Sequence, residues 1–397
     1  MSMALSLRDS LAARHRSVRK AFESASVDAL IVTHLPNIFY LTGFTGTAAI
    51  VVVTAVNVSL LTDFRYVAFV QSMLESGEGW PDAAMIQVQG SYDEALASFI
   101  EEHSIKQAGF EAEHLSVGRH KWLAARLRRN ESSTTAGAAR PELVPTEGIV
   151  ERVRIRKDAH EIATLRAAAR LLSEVARDVL RTVQPGPSER EFAAVIDYKL
   201  KSAGFARPAF DTIVAAGANA ALPHARPGRR ALQAGDLVVL DFGGVYDGYC
   251  VDLTRTVCLG RPDNEMRRVY DAVLQGQRAA LAAVRPGVAA ADVDAAARAV
   301  LTDRGFGEAF GHGTGHGLGI EVHEAPRLVA RRPAAASAAQ GETASAAVEI
   351  IEEGMVFTIE PGAYLPGWGG VRLEDDVLVT AEGCELLTDV PRELTVG

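Results

Sequence analysis

Residues 237–259 read Leu-Val-Val-Leu-Asp-Phe-Gly-Gly-Val-Tyr-Asp-Gly-Tyr-Cys-Val-Asp-Leu-Thr-Arg-Thr-Val-Cys-Leu. Two apolar, β-branched runs flank the turn signal Val245-Tyr-Asp-Gly248, which predicts a β-hairpin. Each run carries one aspartate, Asp241 before the turn and Asp252 after it, equidistant from a point inside it. That spacing predicts directly opposed side chains on one face, with Cβ atoms about 5 Å apart. The pattern recurs near the C-terminal end. Glu360 follows the apolar run Met355–Ile359, Glu374 lies in Gly-Val-Arg-Leu-Glu-Asp, and the turn Pro366-Gly-Trp-Gly-Gly370 falls midway between them.

Like charges directly opposed on a strand pair repel, and a buried carboxylate pair holds on to a proton. Either both pairs are solvent-exposed or cations lie between them, and the apolar flanks favour burial. A third stretch strengthens the cation reading. Residues 310–324 are Phe-Gly-His-Gly-Thr-Gly-His-Gly-Leu-Gly-Ile-Glu-Val-His-Glu, with glycine at every second position from 311 to 319 and histidine at 312, 316 and 323. A dinucleotide fingerprint needs glycine where His316 stands. Alternate glycines instead let backbone pack closely against another element, while three histidines in a chain with opposed carboxylates point to metal or acid–base chemistry.

Outward from these stretches, the 397 residues are 48% hydrophobic and 23% charged, an ordinary globular composition, with a formal net charge of −9. The acidic balance argues against a nucleic-acid partner, which calls for a basic footprint. Three cysteines are too few and too odd in number for a disulfide scaffold. The longest apolar stretch, Ala48–Leu61, is interrupted by Thr54, Asn57 and Ser59 and is shorter than the roughly 20 residues of a membrane span. A soluble cytoplasmic protein without membrane contact is expected.

The first part of the chain, domain 1–140, alternates helical and β-rich runs, so mixed α/β structure is predicted. Asn130–Pro145 reads as a linker or exposed loop. Beyond it Asp158 with Glu161, and Ser188 with Glu191, form capping boxes at the starts of two helices. Strands follow, then helices from about Asn264 to Val284 and Ala290 to Thr302, then strands again, so that one helix-helix-strand unit occurs twice. Arg331–Val348, rich in alanine and serine, reads as an insertion.

These residues resemble the pita-bread metallopeptidases, the family of methionine aminopeptidase, aminopeptidase P and prolidase. The likeness rests on Val-Leu-Asp241-Phe-Gly, Asp252-Leu-Thr-Arg-Thr, His316 with His323, Thr-Ile-Glu360-Pro-Gly and Arg-Leu-Glu374-Asp. It implies an α/β (α+β) chain: an N-terminal mixed α/β creatinase-like domain and, over 155–397, a pita-bread fold with a pseudo-two-fold sheet and covering helices.

The resemblance further implies a dinuclear centre of two divalent metal ions, held by Asp241, Asp252, His316, Glu360 and Glu374. One imidazole among four carboxylates suits Mn2+ or Co2+, with Zn2+ an alternative. By the same resemblance Glu360 shuttles a proton, His224 and His323 stabilise the reacting carbonyl or leaving nitrogen, and His312 lies near substrate. Tyr364 and Arg372 match positions that orient ligands, although packing and a surface ion pair explain them equally well. Arg327 matches an arginine that holds a dipeptide carboxylate in some prolidases. The expected activity is hydrolysis of an Xaa-Pro bond, as an Xaa-Pro dipeptidase or else an aminopeptidase P acting on longer proline-containing peptides, in a homodimer. A non-catalytic binding module is the distant alternative.

Overall fold

Asp158 opens the helix Ala159–Thr182 with its carboxylate on the backbone N–H of Glu161, while Glu161 reaches back to the N–H of Asp158. Ser188 and Glu191 do the same for the helix Glu189–Ala203, which ends at Gly204 with a left-handed φ of 112°. Each cap satisfies backbone donors that the first helical turn leaves open. These details come from a computed structural model, which describes residues 6–77, 79–129, 140–331 and 349–395. Most of the sequence-predicted linker and insertion, residues 130–139 and 332–348, lies outside the described residues.

The chain separates into two units, Met1–Arg154 and Ile155–Gly397. In the first, six strands form one mixed sheet in the order Ala83–Gln87, Val58–Thr62, Ile50–Thr54, Ala29–Val32, Gln107–Glu111, Glu142–Thr146. Leu96, Phe99 and Ile100 of the helix Tyr92–Glu102, with Leu123 and Leu127 of Val117–Arg129, cover the sheet residues Ile31, Val52 and Leu61. The sequence reading of Asn130–Pro145 as loop is corrected at its end: Glu142–Thr146 is a strand parallel to Gln107–Glu111. Its Pro145 is tolerated because the strand lies at the sheet edge, where a missing N–H breaks no ladder.

In the second unit the sequence helix, helix, strands occurs twice, as predicted, with the later helices spanning Asn264–Ala283 and Ala290–Asp303. Val269, Val273, Val293, Ala297 and Leu301 from those helices share one core with Phe357, Ile359, Val371, Leu373 and Val377 from the strands. Fully burying such side chains stabilises by roughly 1.5–3 kcal/mol each, so the strands that flank Glu360 and Glu374 are anchored from behind.

Both hairpins form, and one has a different register from the sequence-based expectation. Strands Leu237–Tyr246 and Tyr249–Cys258 join through a two-residue turn, Asp247-Gly248, with φ of 46° and 83°. Asp-Gly is a favoured pair for such a turn, and it moves the hairpin centre one residue further along. Asp252 therefore pairs with Gly243, and Asp241 with Thr254. The two aspartates are diagonal neighbours on one face, not directly opposed.

The second pair is as expected. Val356–Ile359 pairs with Asp375–Val379, and Gly362–Leu365 with Gly369–Arg372. The two ladders share one register, and continuing it across the break between them sets Glu360 opposite Glu374. In that break the backbone N–H groups turn to other strands, Glu360 donating to Thr314 O at 2.7 Å and Glu374 to Thr254 O at 3.1 Å. The glycine-rich strand Gly315–Gly317 lies close beside Val356–Ile359: a Cβ on Gly315 would sit 1.9 Å from the Thr358 carbonyl oxygen. Only glycine allows that approach. Among the described residues, no helix is long and apolar enough to cross a membrane.

Candidate metal centre

The break between the two ladders, the diagonal aspartates and the glycine-rich strand converge within the second unit. They border a cavity of about 410 Å3, lined by His224, Asp241, Asp252, His312, His316, His323, Arg327, Glu360, Arg372 and Glu374. Every sequence-predicted site residue except Tyr364 lines this cavity, and Tyr364 stands directly behind it. His224, His323 and Arg327 are exposed at its rim, while Asp241, Asp252 and Glu374 are buried.

Asp252, His316 and Glu374 each present a donor atom, all within 4.8 Å of one another. His316 Nε2 is 3.5 Å from Glu360 Oε1. The Nδ1 of His316 contacts the carbonyl of Gly317 at 3.1 Å; a carbonyl only accepts, so Nδ1 carries the proton and Nε2 presents a lone pair to the carboxylates. Oδ1 of Asp241 and Oδ1 of Asp252 are buried and have no hydrogen-bond partner. Buried carboxylate oxygens left in this way cost several kcal/mol unless a cation takes them. The donor set therefore fits divalent metal, in hard, oxygen-rich surroundings.

The electrostatics agree. Burial, with neighbouring carboxylates adding to it, holds the carboxyls of Asp252 and Glu374 well above the usual carboxylate range. Burial also pushes Glu360 up to about 8, with Asp241 reinforcing and Arg372 opposing. His316 is pushed down to about 4, chiefly by burial, so its ring is neutral and able to ligate.

Arg372 and Tyr364 are neither a surface pair nor mere packing. Arg372 is buried and donates to Asp241 Oδ2, to Tyr364 Oη at 2.8 Å and to Thr254 Oγ1 at 3.2 Å. Tyr364 Oη is 2.9 Å from His312 Nε2, and His312 Nδ1 is 2.8 Å from the Gly313 carbonyl. The proton on Nδ1 makes Nε2 the acceptor from the tyrosine, so a directed chain runs from Arg372 through Tyr364 to His312. Both nitrogens of His312 are thereby engaged, and what the residue presents to the cavity is ring rather than free donor.

Several positioning groups escaped the sequence reading. Thr254 donates through Oγ1 to Glu374 Oε2 at 2.6 Å, and Asp376 accepts the backbone N–H of Asp252 at 2.9 Å. Asp294 accepts the N–H and Oγ1 of Thr314 at 3.0 and 2.9 Å, and its partner Arg298 holds the carbonyls of Phe310 and His312 at 2.9 and 2.8 Å. Lys157 Nζ pairs with Glu324 Oε2 at 2.9 Å, their side chains only 1% and 7% exposed, and Glu324 Oε1 accepts the N–H of Glu321 at 3.0 Å. That pair pins the loop carrying His323, whose ring centroid lies 4.4 Å from that of His316. Only Thr254 carried a signal, being two residues from Asp252 and so on its face.

Comparison with known proteins gives this geometry a family. The profile of metallopeptidase family M24 matches residues 163–381, and that of the creatinase/prolidase N-terminal domain matches 14–156. The chain belongs to metallopeptidase family M24. Its second unit is thus the pita-bread domain and its first the creatinase-like one, in the mixed α/β architecture expected. The M24 chain is 31% identical over 380 residues to an Xaa-Pro dipeptidase of Pyrococcus horikoshii, covering 96% of this chain and 97% of the relative. The structure of an Xaa-Pro dipeptidase from Bacillus anthracis superposes with a TM-score of 0.85 at 34% identity, covering 97% and 99%. That of an X-Pro aminopeptidase from Thermotoga maritima does so at 0.80 and 30%, covering 95% and 100%. Membership of M24 implies divalent metal at a dinuclear centre.

Proposed function

We propose that this M24 metallopeptidase hydrolyses the Xaa-Pro bond at peptide N-termini, and that it is an Xaa-Pro dipeptidase. The observation that carries the reading is one cavity with five metal-type donors on its floor and Arg327 on its rim. Both the dipeptidase likenesses and that guanidinium, which offers bidentate recognition to the free carboxylate of a dipeptide, favour the dipeptide over longer chains. Asp241, Asp252, His316, Glu360 and Glu374 are the proposed ligands of two divalent ions, Mn2+ or Co2+ ahead of Zn2+ for so hard a set.

Divalent ions bound there would supply Lewis-acid polarisation of a carbonyl oxygen and a water more acidic than bulk. Glu360, facing the same cavity, accepts and returns a proton. His323 and His224 at the rim donate to the scissile carbonyl or to the leaving proline nitrogen, stabilising developing negative charge. Arg372 and Tyr364 keep Asp241 and His312 in place. The domain pair proposed is 1–140 and 155–397. A cytoplasmic setting and a homodimer, the latter testable by light scattering, complete the proposal.

Hydrolysis of an Xaa-Pro dipeptide and an Xaa-Pro tripeptide, compared in wild type and Arg327→Ala, tests the substrate. The expected result is a preference for the dipeptide and at least a tenfold rise in its KM in the variant. A better tripeptide substrate with a silent Arg327→Ala would instead establish an aminopeptidase P. Absence of bound metal and of all hydrolysis would leave a binding module.

A further inference from the structure

The amino-terminal unit contains a second group of ligand-type side chains, unused by the peptide chemistry. His34, His114 and Glu151 each offer one donor atom, and these lie within 4.8 Å of one another, the same spacing that brings Asp252, His316 and Glu374 together. The two imidazoles stack with centroids 3.7 Å apart and planes 4° from parallel, and His114 Nε2 is 3.7 Å from Glu151 Oε1. We infer that His34, His114 and Glu151 form a binding site for one borderline divalent transition ion of the Zn2+ class, wholly within the amino-terminal unit.

The topology supplies an independent reason. Strands Ala29–Val32 and Gln107–Glu111 are parallel neighbours. After the first, the chain builds its next three strands on one side of the sheet, then returns to place the last two on the other. Between these two strands the connections diverge, which makes a topological switch point, and open α/β sheets take their ligands there, beyond the carboxyl ends of the strands. His34 lies just past the end of one strand and His114 just past the end of the other, while Glu151 comes from the helix Ile149–Arg154.

Hydrogen bonds hold two of the three groups beforehand. Glu111, the last residue of its strand and buried, accepts the N–H groups of Thr33 at 2.7 Å and His34 at 2.9 Å, and Nδ2 of Asn37 at 2.6 Å. Asn37 Nδ2 also donates to Glu151, and Arg154 donates to Asn37 Oδ1 at 2.7 Å. The backbone at His34 and the carboxylate of Glu151 are thus tied to one framework through Glu111 and Asn37. Burial, reinforced by His114 and Arg154, pushes His34 down to about 4, so the ring is unprotonated at neutral pH. Two imidazoles and a carboxylate are the ligand set of three-residue zinc sites, with a fourth position left to water, and suit Zn2+, Ni2+ or Cu2+ over Mg2+ or Ca2+. The side chains of His114 and Glu151 are 27% and 35% exposed, so an ion reaches them from solvent. Because an imidazole lone pair lies in the ring plane, shared coordination requires the His114 ring to turn out of the stack, which its partial exposure permits.

The test is calorimetric titration of Zn2+ into the full chain as wild type, His114→Ala, Asp252→Ala and the Asp252→Ala/His114→Ala double variant. Asp252→Ala is expected to keep one Zn2+ equivalent that the double variant loses, with affinity falling at least 100-fold. Wild type is likewise expected to bind one equivalent more than His114→Ala. His34→Gln and Glu151→Gln repeat the comparison should His114→Ala not fold. In the Asp252→Ala background, bound Cu2+ is expected to show one fewer coordinated nitrogen by electron paramagnetic resonance once His114 is removed. Equal stoichiometry with and without His114, in variants that retain a cooperative melt, overturns the inference. Neither outcome depends on peptide hydrolysis.

Discussion

Replacing Lys157 by methionine keeps the aliphatic stem and removes the ammonium that faces Glu324. With the two side chains 1% and 7% exposed, water cannot take over the role of the lost charge. Glu324 is left as a buried carboxylate with the N–H of Glu321 still on Oε1. Removing one partner of a buried ion pair costs about 3–5 kcal/mol. For a unit of this size, about 2–4 °C of melting temperature per kcal/mol converts that to a fall of roughly 6–20 °C. The double variant Lys157→Met/Glu324→Leu removes both charges and is expected to recover most of the loss, because an apolar pair needs no compensation. Differential scanning calorimetry of the three proteins reads this directly. Hydrolysis gives a second readout: the loop holding His323 loses its tether, and a shift of about 1 Å at a reacting group costs on the order of 100-fold in kcat. A Lys157→Met protein that melts within 2 °C of wild type would refute the reasoning, since the pair would then contribute as little as a surface one.

Two further outcomes follow from described contacts. Gly315→Ala drives a Cβ to within 1.9 Å of the Thr358 carbonyl oxygen and is expected to destabilise by about 1–3 kcal/mol or more in urea unfolding, with loss of bound metal. Gly311→Ala, with nothing within 4 Å, is expected to stay within about 0.5 kcal/mol of wild type. Without metal, Glu360 holds its proton up to about 8 in the folded chain against 4.5 for the free group. Its pKa is raised, so its contribution is full at low pH and disappears as pH climbs through 8. Chelator-treated protein should therefore lose melting temperature between pH 6.5 and 8, a window in which His316 and His312 are already neutral. Added Mn2+ should reverse the loss; a metal-free melt that rises across that window contradicts the assignment.

What the sequence made legible was local. The capping boxes, the twice-occurring helix-helix-strand order and the glycine spacing each depend on residues a few positions apart, and each is present. The hairpin at 237–258 was misread by one residue because Val245 and Tyr246 were counted into the turn; the Asp-Gly pair, whose φ values are both positive, marks the centre. The edge strand Glu142–Thr146 was missed because its partner lies some 35 residues earlier and its own proline argues for loop. Long-range polar contacts were least visible of all. Lys157 and Glu324, Asp294 and Thr314, or Asp252 and Asp376 meet only after the core has brought their elements together, and none carries a local pattern that names its partner.

The shared register of the two ladders around Glu360 and Glu374 makes the hairpin tip a ruler. Side chains alternate faces along a strand, so one inserted residue drawn from the loop 366–368 into the ladder would send Arg372 and Glu374 to the opposite side while Glu360 stayed in place. Two inserted residues would preserve the face and slide the donors by one pair. The count of residues at 366–368 is thus constrained, and so is identity at two positions, because Gly367 has a φ of 79° and Trp368 packs against the core; a tag or label introduced there should replace the exposed Pro366 rather than add residues.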